Sequence, residues 1–244
     1  MKGELLDCFS LLFDLDGTLT DPVQGIARSI SHALGLLGVS SPSHLELARY
    51  VGPPLRHTFA ELLGTGPDDS RVERAMELYR VRFSATGMYE NAVYPGVPAM
   101  LAALREEGFD LFVATSKPRV FAVRICEHFG FHRYLRGIYG PELNGWYDDK
   151  GELLGHLLAE EGIAAHNAVM VGDREHDVSA AKKNGIAALG VTWGYGSRRE
   201  LLDAGANLLC RTPEDVRGCL YALGAHGALT TSLFEPAAAG HIRP

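Results

Sequence analysis

Phe9-Ser10-Leu11-Leu12-Phe13-Asp14-Leu15-Asp16-Gly17-Thr18-Leu19-Thr20 is a short, mostly apolar run that breaks off at two acids. Apolar character without polar alternation predicts a strand buried on both faces, as in a parallel sheet. Asp14 and Asp16 follow two positions apart at its carboxyl end, and residues i and i+2 on an extended chain point the same way. Two carboxylates beside a buried strand are costly unless a cation or a chemical task requires them. The plain alternative is a solvated turn, since Asp, Gly and Thr are ordinary loop residues. A calcium loop fits poorly: an EF-hand needs Gly at its sixth position and Glu at its twelfth. Here Gly17 is fourth, and Gly25 stands where the Glu would be.

Downstream of this strand the texture is helical. Asp21-Pro22 predicts a helix start, with Asp as cap and Pro in the first turn. Ile26, Ile30, Ala33, Leu34 and Leu37 then recur at helical spacing until Gly38. A short helical segment over 45–51 is halted by Gly52-Pro53-Pro54, a further one is expected over 55–63, and an amphipathic helix over 72–83. No strand is expected between 21 and about 86. Residues 21–89 are therefore read as a helical cap domain, inserted into an α/β core built from 1–20 and 90–225, with 226–244 as a loose tail.

From Tyr94-Pro95-Gly96 onward the pattern alternates. Strands are expected over 109–114, 138–140, 168–172, 187–192 and 207–210, with helices between them and a last helix over 213–223. Such alternation implies a parallel sheet covered on both faces, which the opening strand joins.

The totals narrow the function classes. The chain has 244 residues, 46% hydrophobic and 22% charged, with a formal net charge of -7, so it can bury a full core. No basic run or aromatic-interleaved basic patch points to nucleic acid. No apolar stretch approaches the length that spans a membrane. The cysteines, Cys8, Cys126, Cys210 and Cys219, lack any zinc-ligand spacing and read as reduced thiols; with a polar start at Met1–Asp7, a cytoplasmic protein is expected.

In an open parallel sheet, ligands bind outside the carboxyl ends of the strands. Unusual residues stand at four such places: Asp14 and Asp16; Thr115, Ser116 and Lys117; the segment leading to Lys150; and Asp173 with Asp177. Each alone has an ordinary explanation, such as a helix cap, a solvated lysine or an acid favouring a helix N-terminus. As an ordered set they point to one site.

That set resembles the haloacid dehalogenase superfamily, in its phosphoglycolate-phosphatase-like branch with a helical cap after the first strand. Asp14-Leu15-Asp16-Gly17-Thr18 matches the first motif, Thr115 the second, Lys150 the third and Gly172-Asp173-Arg174-Glu175-His176-Asp177 the fourth. The resemblance spans residues 8–223 and implies a Rossmann-like core and a Mg2+-dependent phosphoric monoester hydrolase. It further implies Asp14 as nucleophile, giving an aspartyl-phosphate, and Asp16 as general acid and then base. Thr115 would grip the phosphoryl group and Lys150 would neutralise its charge. Magnesium would be held by Asp14, the backbone carbonyl of Asp16, and Asp173, with Asp177 supporting Lys150 or a metal-bound water rather than ligating directly, and with Gly17 and Thr18 in supporting roles. Halide departure needs no proton, so Asp16 favours phosphate esters over dehalogenation.

Ser116, Lys117 and Arg56 are expected at the substrate, with Lys117 also a rival for the role of Lys150. Arg56 and Arg49 suit an anionic group on a small phosphorylated metabolite, phosphoglycolate-like or nucleotide-like. Two alternatives stand beside hydrolysis: a sugar phosphomutase resembling beta-phosphoglucomutase, and a regulatory protein on the same scaffold. Oligomeric state is not legible.

Overall fold

The computed structural model describes residues 9–225, so the expected tail at 226–244 lies outside the described residues. In chain order the elements are β1 (Ser10–Phe13), β2 (Thr20–Asp21), α1 (Val23–Leu36), α2 (His44–Leu47), α3 (Leu55–Leu63), α4 (Ser70–Ala85), β3 (Ala92–Val93) and α5 (Val97–Glu106). There follow β4 (Asp110–Ala114), α6 (Arg119–His128), β5 (Leu135–Tyr139), α7 (Lys150–Glu161), β6 (Ala168–Gly172) and α8 (Glu175–Lys183). The last are β7 (Ala187–Val191), α9 (Arg198–Ala204), β8 (Leu208–Cys210) and α10 (Asp215–Ala225).

Six strands form one parallel sheet in the order β5-β4-β1-β6-β7-β8. The strand of the opening stretch is central, in register with Asp110–Val113 on one side and Ala168–Val171 on the other. This explains its lack of alternation: all four residues are buried. Leu11 and Phe13 face one core with Val97, Ile125 and Leu220. Leu12 faces the other with Leu154, Leu157 and Val178. Each such side chain contributes about 1.5–3 kcal/mol from removal of apolar surface from water.

Helices α1–α4 occupy the connection between β1 and β4, and their apolar faces (Ile30, Leu34, Phe59, Val72, Phe83) continue the first of these cores. The chain leaves and returns through an antiparallel ribbon, β2 with β3, pairing Thr20 with Val93 and Asp21 with Ala92. Gly25 of α1 lies hard against Gly87, where an added Cβ would stand 1.9 Å from the Gly87 carbonyl oxygen; at Gly35 of the same helix a Cβ meets nothing within 4 Å. Gly25→Ala should lower stability by about 3 kcal/mol, the upper end for overpacking, and Gly35→Ala should raise it by about 0.5–1 kcal/mol through helix propensity. Urea midpoints at constant m check both. A wild-type midpoint for Gly25→Ala would contradict the close α1 contact.

Several expectations shift. The strand expected over 138–140 starts at Leu135, because it is the sheet's edge strand and Arg136 and Gly137 interrupt its apolar signal. The helix expected over 178–184 begins earlier, α8 starting at Glu175, since its first turn is polar. Pro22 takes the cap position of α1; Asp21 still accepts from the Val23 N–H at 3.1 Å. The helix over 45–51 is a four-residue turn followed by a 3-10 turn at Ala48–Tyr50. The β2–β3 ribbon is two residues long on each side, too short to leave a periodicity.

Candidate active site

The carboxyl ends of β1, β4 and β6 lie side by side, so Asp14, Thr115 and Asp173 emerge at one edge of the sheet. Asp14 is fixed by its own backbone N–H, which donates to the Val171 carbonyl at 2.9 Å. Leu15 turns into the core, fully buried, while Gly17 closes the loop with an N–H to the Thr20 carbonyl at 2.7 Å. Gly17 has φ +92, and a Cβ there would stand 2.3 Å from Asp173 Oδ2. Only glycine admits both that conformation and the approach of the acid.

Lys150, at the start of α7, reaches back across the sheet edge. Its Nζ donates to Asp14 Oδ1 at 2.7 Å and also contacts Asp177 Oδ1. Burial alone would push its pKa down; the Asp14 and Asp177 carboxylates outweigh that, and the ammonium is held above its ordinary value. Asp177 Oδ2 accepts from the Arg174 N–H at 2.9 Å. Asp173 accepts from Thr18 Oγ1 at 3.2 Å and from the Tyr195 N–H at 2.8 Å. Its pKa is pushed up to about 7, first by burial and then by Asp177 and Asp14.

Oxygens of Asp14, Asp173 and Asp177 lie within 4.8 Å of one another, all three residues buried. One ammonium cannot balance three such carboxylates, and hard oxygen donors at this spacing fit a divalent cation. This fits the expected set only in part. Asp14 and Asp173 are shared; Asp177 completes the oxygen triangle, yet Lys150 already occupies one of its oxygens.

Asp16 is held apart from Asp14. Its Oδ2 receives Lys117 Nζ at 2.6 Å, and that ammonium also lies 4.7 Å above the Phe83 ring of α4. Asp16 Oδ1 is buried with no hydrogen-bond partner. Burial raises the Asp16 pKa, opposed by Lys117. Thr115 Oγ1 accepts from the Lys117 N–H at 3.2 Å, which turns this lysine toward Asp16, and Ser116 is exposed beside it. The two lysines thus divide the two acids: Lys150 takes Asp14, Lys117 takes Asp16.

Arg56, expected at the substrate, is paired within the insertion. Its guanidinium is engaged by Glu73 at 2.5 Å and the Pro67 carbonyl at 3.0 Å, both within the helical insertion, because α4 carries an acid within reach. Arg49 donates to Tyr50 Oη at 2.6 Å and to Glu61 at 2.8 Å.

The loop after β7 went unread in the sequence, although Trp193-Gly194-Tyr195-Gly196 stands at a fifth strand end. Trp193 Nε1 donates to the Thr18 carbonyl at 3.0 Å, and the Tyr195 hydroxyl donates to Asp21 at the base of the β2–β3 ribbon. An aromatic, glycine-rich segment at a strand end was the available signal.

Comparison with known proteins agrees with this arrangement. The family model for haloacid dehalogenase-like hydrolases matches residues 11–191. A 5'-nucleotidase of Pseudomonas aeruginosa is 49% identical over 201 residues, covering 82% of this chain and 90% of that protein. The tyrosine-protein kinase PtkA of Mycobacterium tuberculosis is 40% identical over 193 residues, which are 79% of this chain and 65% of that protein. The crystal structure of a predicted phosphatase from Clostridium acetobutylicum superposes with a TM-score of 0.83 at 38% identity, covering 88% of this chain and all of that one. With a family match over most of its length, the chain belongs to the haloacid dehalogenase-like hydrolases.

Proposed function

We propose that the protein is a Mg2+-dependent phosphatase of small phosphomonoesters, working through an aspartyl-phosphate on Asp14, in the cytoplasm, with residues 21–89 as its cap. The observation that carries the reading is the division of Asp14 and Asp16 between two lysines. Acid and base roles fall to paired titratable groups whose surroundings separate them.

Asp14 attacks phosphorus as the ester bond breaks. Lys150, already on Asp14 Oδ1, orients the carboxylate and offsets charge on the phosphoryl oxygens. Asp16, whose buried Oδ1 has no partner, gives its proton to the leaving oxygen. It then removes a proton from the water that attacks the aspartyl-phosphate, releasing phosphate and free Asp14. Thr115 and the adjacent Ser116 bind the phosphoryl oxygens, and Lys117 holds Asp16 between these steps. The cation would be held by Asp14, the Asp16 carbonyl and Asp173, with Asp177 keeping Lys150 in place. When bound, it supplies positive charge to the equatorial phosphoryl oxygens.

The insertion acts as the lid: Phe83 meets Lys117, and the Val51 carbonyl accepts from Arg174 Nη1 at 3.2 Å. Closure there shuts over the bound substrate and keeps bulk water from competing with Asp14 for the phosphoryl group. Phosphate release from p-nitrophenyl phosphate, with magnesium and then with chelator, tests the reading. Chelation should cost at least about a hundredfold in rate, consistent with several kcal/mol of charge stabilisation. Unchanged turnover with chelator would reject the metal, and isomer formation from a sugar phosphate without phosphate release would reject hydrolysis.

A further inference from the structure

The last two described elements bring two cysteines together. Cys210 closes β8 and is buried; Cys219, on α10, is half-buried. Because α10 packs back on β8, the Cys219 thiol donates to the Leu209 carbonyl at 3.9 Å and lies in hydrogen-bonding contact with the Cys210 thiol. We propose that Cys210 and Cys219 form a peroxide-oxidisable dithiol, whose disulfide latches α10 to the edge strand of the sheet.

The fold holds the pair in place. Residues 211–214 turn the chain from β8 into α10, and Asp215 Oδ2 fixes this turn by accepting from the N–H groups of Arg211 and Thr212 at 2.9 and 3.0 Å. A disulfide needs Cβ atoms about 4 Å apart, and thiols already in contact reach that geometry through side-chain rotation.

The two thiols are unlike, which sets the order of events. Burial, and then the neighbouring Cys219, pushes the Cys210 thiol above its ordinary pKa, which shields it from oxidants in solution. Cys219 is the sulfur that solvent reaches. It attacks hydrogen peroxide, the O–O bond breaks, and a sulfenic acid forms on Cys219 as one water leaves. Cys210 then attacks the Cys219 sulfur, the S–O bond breaks, and the Cys210 proton departs with the hydroxyl as a second water. The two sulfurs together lose two electrons, which reduce one peroxide. Cys126, buried on α6, has no cysteine against it among the described residues and lacks this route.

The latch acts where the sheet is weakest and touches the site's support. Edge strand β8 has three residues, and such short outer elements open locally first. The Cys210 carbonyl accepts the Thr192 N–H at 3.0 Å and the Thr192 hydroxyl at 3.2 Å. Thr192 leads directly to Trp193 and Tyr195, which hold the Thr18 carbonyl and Asp173. Fixing Cys210 therefore fixes the foot of that loop.

Reduced protein treated with hydrogen peroxide, alkylated, and digested with trypsin without reductant tests this. Cleavage after Arg199, Arg211 and Arg217 places the two cysteines on different peptides. Mass spectrometry should find these peptides joined, lighter than the separate pair by two hydrogens, in most molecules, with Cys126 still a thiol. Oxidation should also raise Tm by at least about 5 °C, the shift a closed disulfide gives a chain of this size. Cys210→Ser and Cys219→Ser should each lose both the joined peptide and the gain in Tm, while Cys126→Ser keeps both. In Cys210→Ser the Cys219 sulfenic acid should be trapped by dimedone; in Cys219→Ser, Cys210 should stay reduced. Peptides that remain separate, Cys219 joined instead to Cys8 or to a second molecule, a joined pair with unchanged Tm, or oxidised Cys210 in Cys219→Ser would each overturn the latch.

Discussion

Asp14→Asn should lower turnover of p-nitrophenyl phosphate by at least about ten-thousandfold, the scale seen when a covalent nucleophile is removed. An amide cannot replace the carboxylate as attacking group. Lys150 already occupies Asp14 Oδ1, so in the proposed mechanism Oδ2 would be the attacking oxygen. The fold should survive the change. Lys150 keeps Asp177, and a buried cluster of three acids loses one negative charge. The expected pair of results is thus a lost rate with a midpoint of unfolding close to wild type, and no acid-stable phosphoryl adduct on the variant by mass spectrometry. A variant retaining more than about a hundredth of the wild-type rate would remove Asp14 from the nucleophile's role.

How far the site could be read ahead of the structure depended on whether a residue's task was local. Asp14, Thr115, Lys150 and Asp173 stand at element boundaries, and strand and helix periodicity place such boundaries within a few residues. The sheet order then brings them together, since β1 lies between β4 and β6. What sequence could not give was the pairing of charges. Lys117 and Lys150 are both plausible partners for either acid, and only the packing of Phe83 and Thr115 around Lys117 assigns it to Asp16. The pairing of Arg56 was hidden for the same reason. Its acidic partner, Glu73, is seventeen residues away on another helix, outside any local pattern. Tyr195 carries two long-range tasks, a backbone N–H on Asp173 and a hydroxyl on Asp21, and neither has a sequence signature.

Lys150→Met should cost about 3–5 kcal/mol of stability in metal-free protein, the range for removing one partner of a buried ion pair. The side chain that replaces it is of similar length, so the loss is electrostatic. Without the ammonium, Asp14, Asp173 and Asp177 face one another with no positive charge among them. The pH dependence follows from Asp173, whose pKa is pushed up to about 7 by burial, Asp177 and Asp14. A carboxyl with a folded pKa above its unfolded one binds protons more tightly when folded, so stability falls as pH rises between about 4 and 7. The Tyr195 N–H and Lys150 both hold this pKa down, and loss of Lys150 leaves only the first, moving the window upward. The destabilisation should therefore be largest near pH 8 and smaller by at least about 1 kcal/mol near pH 5.5, where the cluster takes up protons. Urea unfolding of wild type and variant at both pH values, without metal, measures this. Magnesium should recover part of the loss near pH 8 by binding only the folded cluster, an effect that grows with its concentration. A loss equal at both pH values and untouched by magnesium would mean that Lys150 stabilises the fold through packing of α7, with the acid cluster balanced by other means.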